Sequence, residues 1–141
     1  MLTIQEIQAQ IIEDFSFLPE WDERYAYLIE LGQKSPSMAE ENRTEGNLVR
    51  GCQSLVWLAR ECRQGVVYLQ ADSDSLIVKG LAALLLQVFS GQPAKEVSQA
   101  ELHFFETIGL NQHLSSQRTN GLLAMVNVIR SFAVQCVGEG S

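Results

Sequence analysis

The feature that most limits what this chain can become is a change of hydrophobic period at Asn47. Before it, apolar residues recur at helical spacing: Ile4, Ile7, Ile11 and Phe15, then Trp21, Tyr25, Leu28 and Ile29. After it come short runs rich in β-branched residues: Leu48-Val49, Ser54 to Arg60 and Val66 to Ala71. From Asp72 the helical pattern returns and lasts to the end. Two helices, a block of strands and further helices predict an α+β domain. The expected core is a small three-stranded antiparallel sheet with helices packed on one face. Its strands would form a meander, with Gly51-Cys52 joining the first two and Gln64-Gly65 turning between the second and third.

Local signals set the expected helix ends. Thr3-Ile4-Gln5-Glu6 is a capping-box pattern. The second helix fits Glu20 to about Gln33, with Gly32 near its C-terminal cap. Residues 35–46 read as an ordered loop. Asp72-Ser73-Asp74 offers N-caps for a helix from Ser75 to Phe89, apolar nearly all round and so central. Gly80 inside it suggests close backbone packing, and Lys79 is placed to snorkel or to pair with Asp72 or Asp74. Gly91 and Pro93 end that helix. Ser98-Gln99-Ala100-Glu101 reads as a second capping box, opening a short helix that stops at Gly109. The last helix starts near Ser115 or Ser116, with Leu122, Met125, Val126, Ile129 and Phe132 as its apolar stripe; Gly138 to Ser141 is expected to fray.

The chain has 141 residues, one domain's worth, read as a single unit over 1–141. Its net charge of −7 is concentrated: residues 1–45 hold ten acids and three bases, and residues 46–141 hold seven of each. An acidic chain with only a small basic patch (Arg50, Arg60, Arg63) argues against duplex nucleic acid as a partner. No uninterrupted apolar run nears the roughly 18 residues of a membrane span. The N-terminus lacks a secretory pattern, so a cytoplasmic setting is expected. The three cysteines, Cys52, Cys62 and Cys136, are odd in number and widely spaced, which does not read as a disulfide framework. Cys62 and Cys136 are expected to be ordinary packed thiols.

Cys52 stands apart, flanked by Gly51, Gln53 and Ser54 just before the apolar Leu55 to Ala59. A thiol in a loop can reach a partner, and its thiolate is the nucleophile. Zinc sites favour close Cys or His pairs. Here His103 and His113 are 10 apart and the cysteines 10 and 74 apart, so neither a metal nor another cofactor is expected. Cys52 with His113 as base would make a thiol hydrolase or transferase. A structural adaptor docking through its acidic helices is the third reading.

Four blocks, in order, resemble one family: Trp21-x-x-Arg24-Tyr25-x-Tyr27-Leu28-Ile29-Glu30-Leu31-Gly32; Gly51-Cys52-Gln53-Ser54-x-Val56-Trp57; Asp72-Ser73-Asp74-x-x-Ile77-Val78-Lys79-Gly80-Leu81; and Leu114-Ser115-x-x-Arg118-x-x-Gly121-Leu122. The chain is similar over about Trp21 to Phe132 to SufE, the sulfur acceptor that works with a cysteine desulfurase in iron–sulfur cluster assembly. The resemblance implies a fold like that of SufE and of IscU-type scaffolds. It implies that Cys52 takes persulfide sulfur from a PLP-dependent desulfurase of the SufS or CsdA type, stimulates it, and passes sulfur to a cluster scaffold. The relative of CsdE type, serving another desulfurase, is the alternative; Gln53-Ser54 looks closer to SufE. Such a protein is a partner-dependent relay rather than a stand-alone enzyme. Gly51, Gln53, Asp74 and Arg118 would order the loop or dock the desulfurase, with His113 peripheral. The partners implied exclude nucleic acid and membrane and allow a homodimer.

Overall fold

A computed structural model describes residues 2–140. Two helices open it, α1 (Ile4–Ser16) and α2 (Trp21–Lys34), followed by 3-10 turns at Glu40–Asn42 and Glu45–Asn47. A hairpin follows, β1 (Val56–Arg63) and β2 (Val66–Ser73), then α3 (Leu76–Phe89) and a short β3 (Gln92–Pro93). The chain ends in α4 (Ala94–Gln99), α5 (Phe104–Thr107), α6 (Leu110–His113) and the long α7 (Ser116–Gly140). The sheet is antiparallel in the order β1-β2-β3. α3 packs on β2, α7 on both β1 and β2, and α2 on the far side of α3.

The expected α+β architecture with three antiparallel strands is present, but one strand is a different segment. Leu48 makes a single bridge to Trp57, and Val49 N–H donates to the Val56 carbonyl at 2.9 Å. The third strand is Gln92–Pro93, paired with Val66 and Val67. Pro93 lacks an N–H, which suits the last position on an edge. The Gln64-Gly65 turn forms as expected, with φ of 51° and 76°. Cross-strand pairs then put Leu58 beside Ala71, Arg60 beside Leu69 and Cys62 beside Val67. This face of the sheet meets the helices.

α1 carries the expected capping box: Glu6 N–H donates to Thr3 Oγ1 at 3.1 Å, and Thr3 N–H to Glu6 Oε1 at 2.9 Å. α3 is the buried centre, with Leu81, Leu84, Leu85, Val88 and Phe89 all at most 1% exposed. Its cap is Ser75, which accepts from Val78 N–H, rather than the acids before it. Gly32 does not cap α2. It lies within the helix, as Gly80 lies within α3, and the two permit the helices to touch backbone to backbone. A Cβ on Gly80 would sit 2.0 Å from the Leu28 carbonyl oxygen, and one on Gly32 2.4 Å from that of Leu76. The Ser98 capping box is also absent. Ser98 lies inside α4 and donates to the Lys95 carbonyl, while Glu101 follows in the connection to α5. The last helix does not fray at Gly138. It is helical to Gly140, and Ser141 lies outside the described residues.

α7 is long and apolar enough to span a bilayer by length and composition. Here Leu122, Met125, Val126, Ile129 and Ala133 lie in the core, and Ile129 and Ala133 have no exposed area.

Asp72, only 3% exposed, is the hub of a buried charge network. Its carboxylate accepts from Met38 N–H at 3.0 Å, Arg43 Nη2 at 2.7 Å and Ser73 N–H at 2.8 Å, with Lys79 Nζ at 3.4 Å. This settles Lys79 as a partner of Asp72 and ties the 35–46 loop to the sheet. Burial alone would raise the carboxyl pKa. The Met38 and Ser73 N–H groups, Arg43 and Lys79 outweigh it and hold the pKa at about 2. A folded-state value below the ordinary 3.8 stabilises the fold above that pH, and the contribution disappears as pH falls toward about 2. Asp72→Asn should therefore lose at least 1–2 kcal/mol, roughly, near neutrality, with screening allowed for. Urea melts at a series of pH values check this. The gap between the two proteins should narrow between about pH 4 and 2; a gap independent of pH would refute it.

Candidate functional site

The sequence around Cys52 cannot continue either a helix or a strand. Gly51 has φ of +94°, a conformation L side chains rarely adopt, so the chain reverses there before β1 begins. Asp74 fastens the far side of the turn. Its Oδ1 accepts from Leu55 N–H at 3.1 Å, and its own N–H donates to the Leu55 carbonyl at 3.2 Å. Asp74 was expected to offer a cap to the central helix and to order the Cys52 loop or dock a partner; Ser75 takes the cap, and Asp74 closes the Cys52 loop onto the end of β2.

The thiol lies half-buried against the start of α7. Cys52 Sγ is 3.6 Å from the Gly121 carbonyl oxygen. A Cβ on Gly121 would stand 3.2 Å from Sγ, so the missing side chain makes the seat for the sulfur. Burial pushes the Cys52 pKa up. Arg50 does not offset this: it is exposed and pairs with Glu45 at 3.6 Å. Cys52 is the one free cysteine among the described residues.

Cys52 opens onto a cleft of about 290 Å³. One wall is apolar, with Val78, Leu81, Leu122 and Met125; the rim is polar, with Gln53 and Arg118. Ser115 positions Arg118 by capping α7, its Oγ accepting from Arg118 N–H at 3.2 Å. The arrangement is a single thiol on a turn, sheltered on one side by apolar surface and approached over one exposed cation.

The fold thus brings Gly51, Cys52, Gln53 and Arg118 together, with Asp74 bracing their loop. His113 is elsewhere. Its ring stacks on Trp21 at 4.0 Å, its carbonyl accepts from the Tyr25 hydroxyl, and it does not line the Cys52 cleft. The Cys52–His113 dyad needed for a thiol hydrolase is not formed. No three His, Cys, Asp or Glu side chains converge as a metal site among the described residues. Sequence reading missed the part played by Gly121, although Gly121 stands in the fourth block. Its signal was an isolated glycine early in a helix, which has no helical rationale. It also missed Arg24, whose guanidinium donates to the carbonyls of Leu18, Ile108 and Phe15 and so ties α1, α2 and α5 together.

One expectation fails outright. Cys62 and Cys136 are not packed thiols but a disulfide, joining β1 to α7 with Cα atoms 5.7 Å apart. Their separation of 74 residues hid the pairing, because only the fold brings the helix-facing side of β1 against α7.

The family model described as the SufE, Fe-S metabolism associated domain matches residues 9–133. The chain belongs to the SufE family. An uncharacterized SufE-like protein of Rhizobium meliloti is 46% identical over 129 residues, covering 88% of this chain and 92% of that one. A second, from Rhizobium etli, is also 46% identical over 129 residues, covering 88% and 87%. In fold, the chain resembles the solution structure of a hypothetical protein from Thermus thermophilus. The TM-score is 0.76 at 23% identity, over 94% of this chain and 96% of that one. Membership of the SufE family supports a sulfur-acceptor role in Fe–S metabolism.

Proposed function

We propose that this SufE-family chain carries sulfur on Cys52, taking it from the persulfide of a PLP-dependent cysteine desulfurase and passing it on for iron–sulfur cluster assembly. The observation that carries the reading is the lone free thiol, seated in a cleft with no base and no second free cysteine lining it. The Cys52 thiolate attacks the outer sulfur of the donor's persulfide. The S–S bond of the donor breaks, its cysteine leaves as a thiolate, and Cys52 keeps the sulfur as its own persulfide. No electrons are gained or lost overall, so neither a redox cofactor nor a metal is required. The work belongs to a partner-dependent relay in the cytoplasm rather than to a stand-alone enzyme.

The seat suits such a carrier. Between encounters, the apolar wall shelters one side of the sulfur from water and stray thiols. On docking, rotation about Gly51 brings Cys52 out of the seat, removes the burial that raises its pKa, and so activates it. Gln53 and Arg118 sit on the rim a partner would meet. Mixing the protein with a desulfurase and free cysteine tests the core of this. Intact mass should rise by one sulfur, about 32 Da, and fall back with reductant; no gain would overturn the proposal. Alkylation of Cys52 tests the gate: it should speed up when desulfurase is present. Arg118→Ala should blunt that increase several-fold without altering the rate of the free protein. Equal rates with and without desulfurase would refute the gate.

A further inference from the structure

We infer that Cys62 and Cys136 form a reversible thiol–disulfide latch, which holds the helix that seats Cys52 and slows release of the Cys52 sulfur when closed. The inference deepens the reading above and rests on it only for what the seat is used for.

Three features lead to it. The first is placement. Cys62 lies near the hairpin end of β1 on its helix-facing side, and Cys136 lies on α7, with Cα atoms 5.7 Å apart. That spacing lets a disulfide open and close without moving the backbone far. The second is access. Cys136 is 1% exposed, whereas Cys62 is only partly buried. A dissolved thiol or disulfide therefore meets Cys62 first. The third is leverage. Gly121, which seats Cys52, and Cys136 sit on one helix, about 22 Å apart at 1.5 Å per residue. Leu122, Met125, Val126, Ile129 and Ala133 form one buried stripe between them. Past Ala133 the cover thins: Val134 is 59% exposed and Val137 41%. Packing against α4, with Arg130 donating to the Ala100 carbonyl at 2.6 Å, holds this part of the helix from one side, and the disulfide is the covalent tie that holds it to β1.

The chemistry balances with a glutathione-class disulfide as oxidant. The Cys62 thiolate attacks it, forming a mixed disulfide and releasing one thiol. The Cys136 thiolate then attacks Cys62 Sγ and expels the second. Two electrons and two protons pass from the cysteine pair to the oxidant, and excess thiol reverses each step. In a reducing compartment, disulfides of intracellular proteins are usually transient and redox-sensing. Closed, the latch fixes the far end of α7 to β1 and stiffens the helix that walls Cys52. Open, it lets the far end of the helix breathe, and the seat with it.

The test uses the full chain equilibrated in glutathione buffers ranging from reduced to oxidised. Thiols are trapped under denaturing conditions and counted by intact mass. The expected result is a reversible passage between three labelled cysteines and one. Under native conditions, Cys52 should alkylate several-fold more slowly in the closed form, and thermal unfolding should shift upward by roughly 10 °C. A Cys62→Ser/Cys136→Ser double variant should keep the faster Cys52 rate in every buffer. A disulfide that never forms, or that survives excess reduced glutathione in the folded chain, would overturn the latch. So would equal Cys52 rates in the two forms, or a double variant that still follows the buffer. Each of these readouts is independent of sulfur transfer, so failure of the latch and failure of the carrier reading are separable.

Discussion

Cys52→Ser should abolish sulfur uptake completely while leaving the fold intact. The mass gain produced by desulfurase and cysteine should vanish, and so should stimulation of the desulfurase. A serine hydroxyl is far too weakly acidic to supply the nucleophile near neutral pH, and it cannot hold sulfane sulfur as a persulfide. The fold should be indifferent. The side chain is only half-buried, and a hydroxyl in the same seat can donate to the Gly121 carbonyl that now lies 3.6 Å from Sγ. Thermal unfolding should therefore move by no more than a few degrees, as for a substitution outside the core. Cys62→Ser/Cys136→Ser gives the matching control, since uptake should persist when only Cys52 remains. Stimulation surviving at full strength in Cys52→Ser would remove the relay from Cys52 and leave the protein as a docking adaptor.

The parts of this fold that could be read from sequence are those set by neighbours in the chain. The Thr3 capping box, the Gln64-Gly65 turn and the apolar period of α3 each depend on residues a few positions apart. The loop position of Cys52 follows from Gly51 in the same way. What escaped was set across distance. Gln92–Pro93 became a strand because Val66 and Val67 offered a free edge there. Asp72 and Asp74 looked like helix caps, since acids before an apolar run usually are. Their partners, Arg43 in a distant loop and Leu55 across the hairpin, drew them away. Gly121 shows the same limit at the site: its meaning lies in a sulfur atom 69 residues earlier in the chain. Cys62 and Cys136 show it most plainly, because a cysteine count says nothing of which strand a helix will cover.

Gly80→Ala should destabilise this fold strongly. In an ordinary helix the change is favourable by about 1 kcal/mol, because alanine loses less conformational freedom on folding. Here the new Cβ would stand 2.0 Å from the Leu28 carbonyl oxygen and 2.8 Å from its carbon. Both are backbone atoms of α2, so no side chain can rotate out of the way. The helices must part by about 1 Å, which loosens the whole α2–α3 contact and pulls on Gly32, where a Cβ would stand 2.4 Å from the Leu76 carbonyl oxygen. Overpacking of this kind costs roughly 3 kcal/mol, a fall in melting temperature near 10 °C for a domain of this size. Gly138→Ala is the control. It too is a helical glycine, but nothing lies within 4 Å of its Cβ position, so a small gain is expected there, reduced by its place in the last turn. Circular-dichroism melts of the two variants separate the outcomes. Opposite signs are expected, and a Gly80→Ala protein as stable as the parent would mean that α2 and α3 are farther apart than their glycines imply.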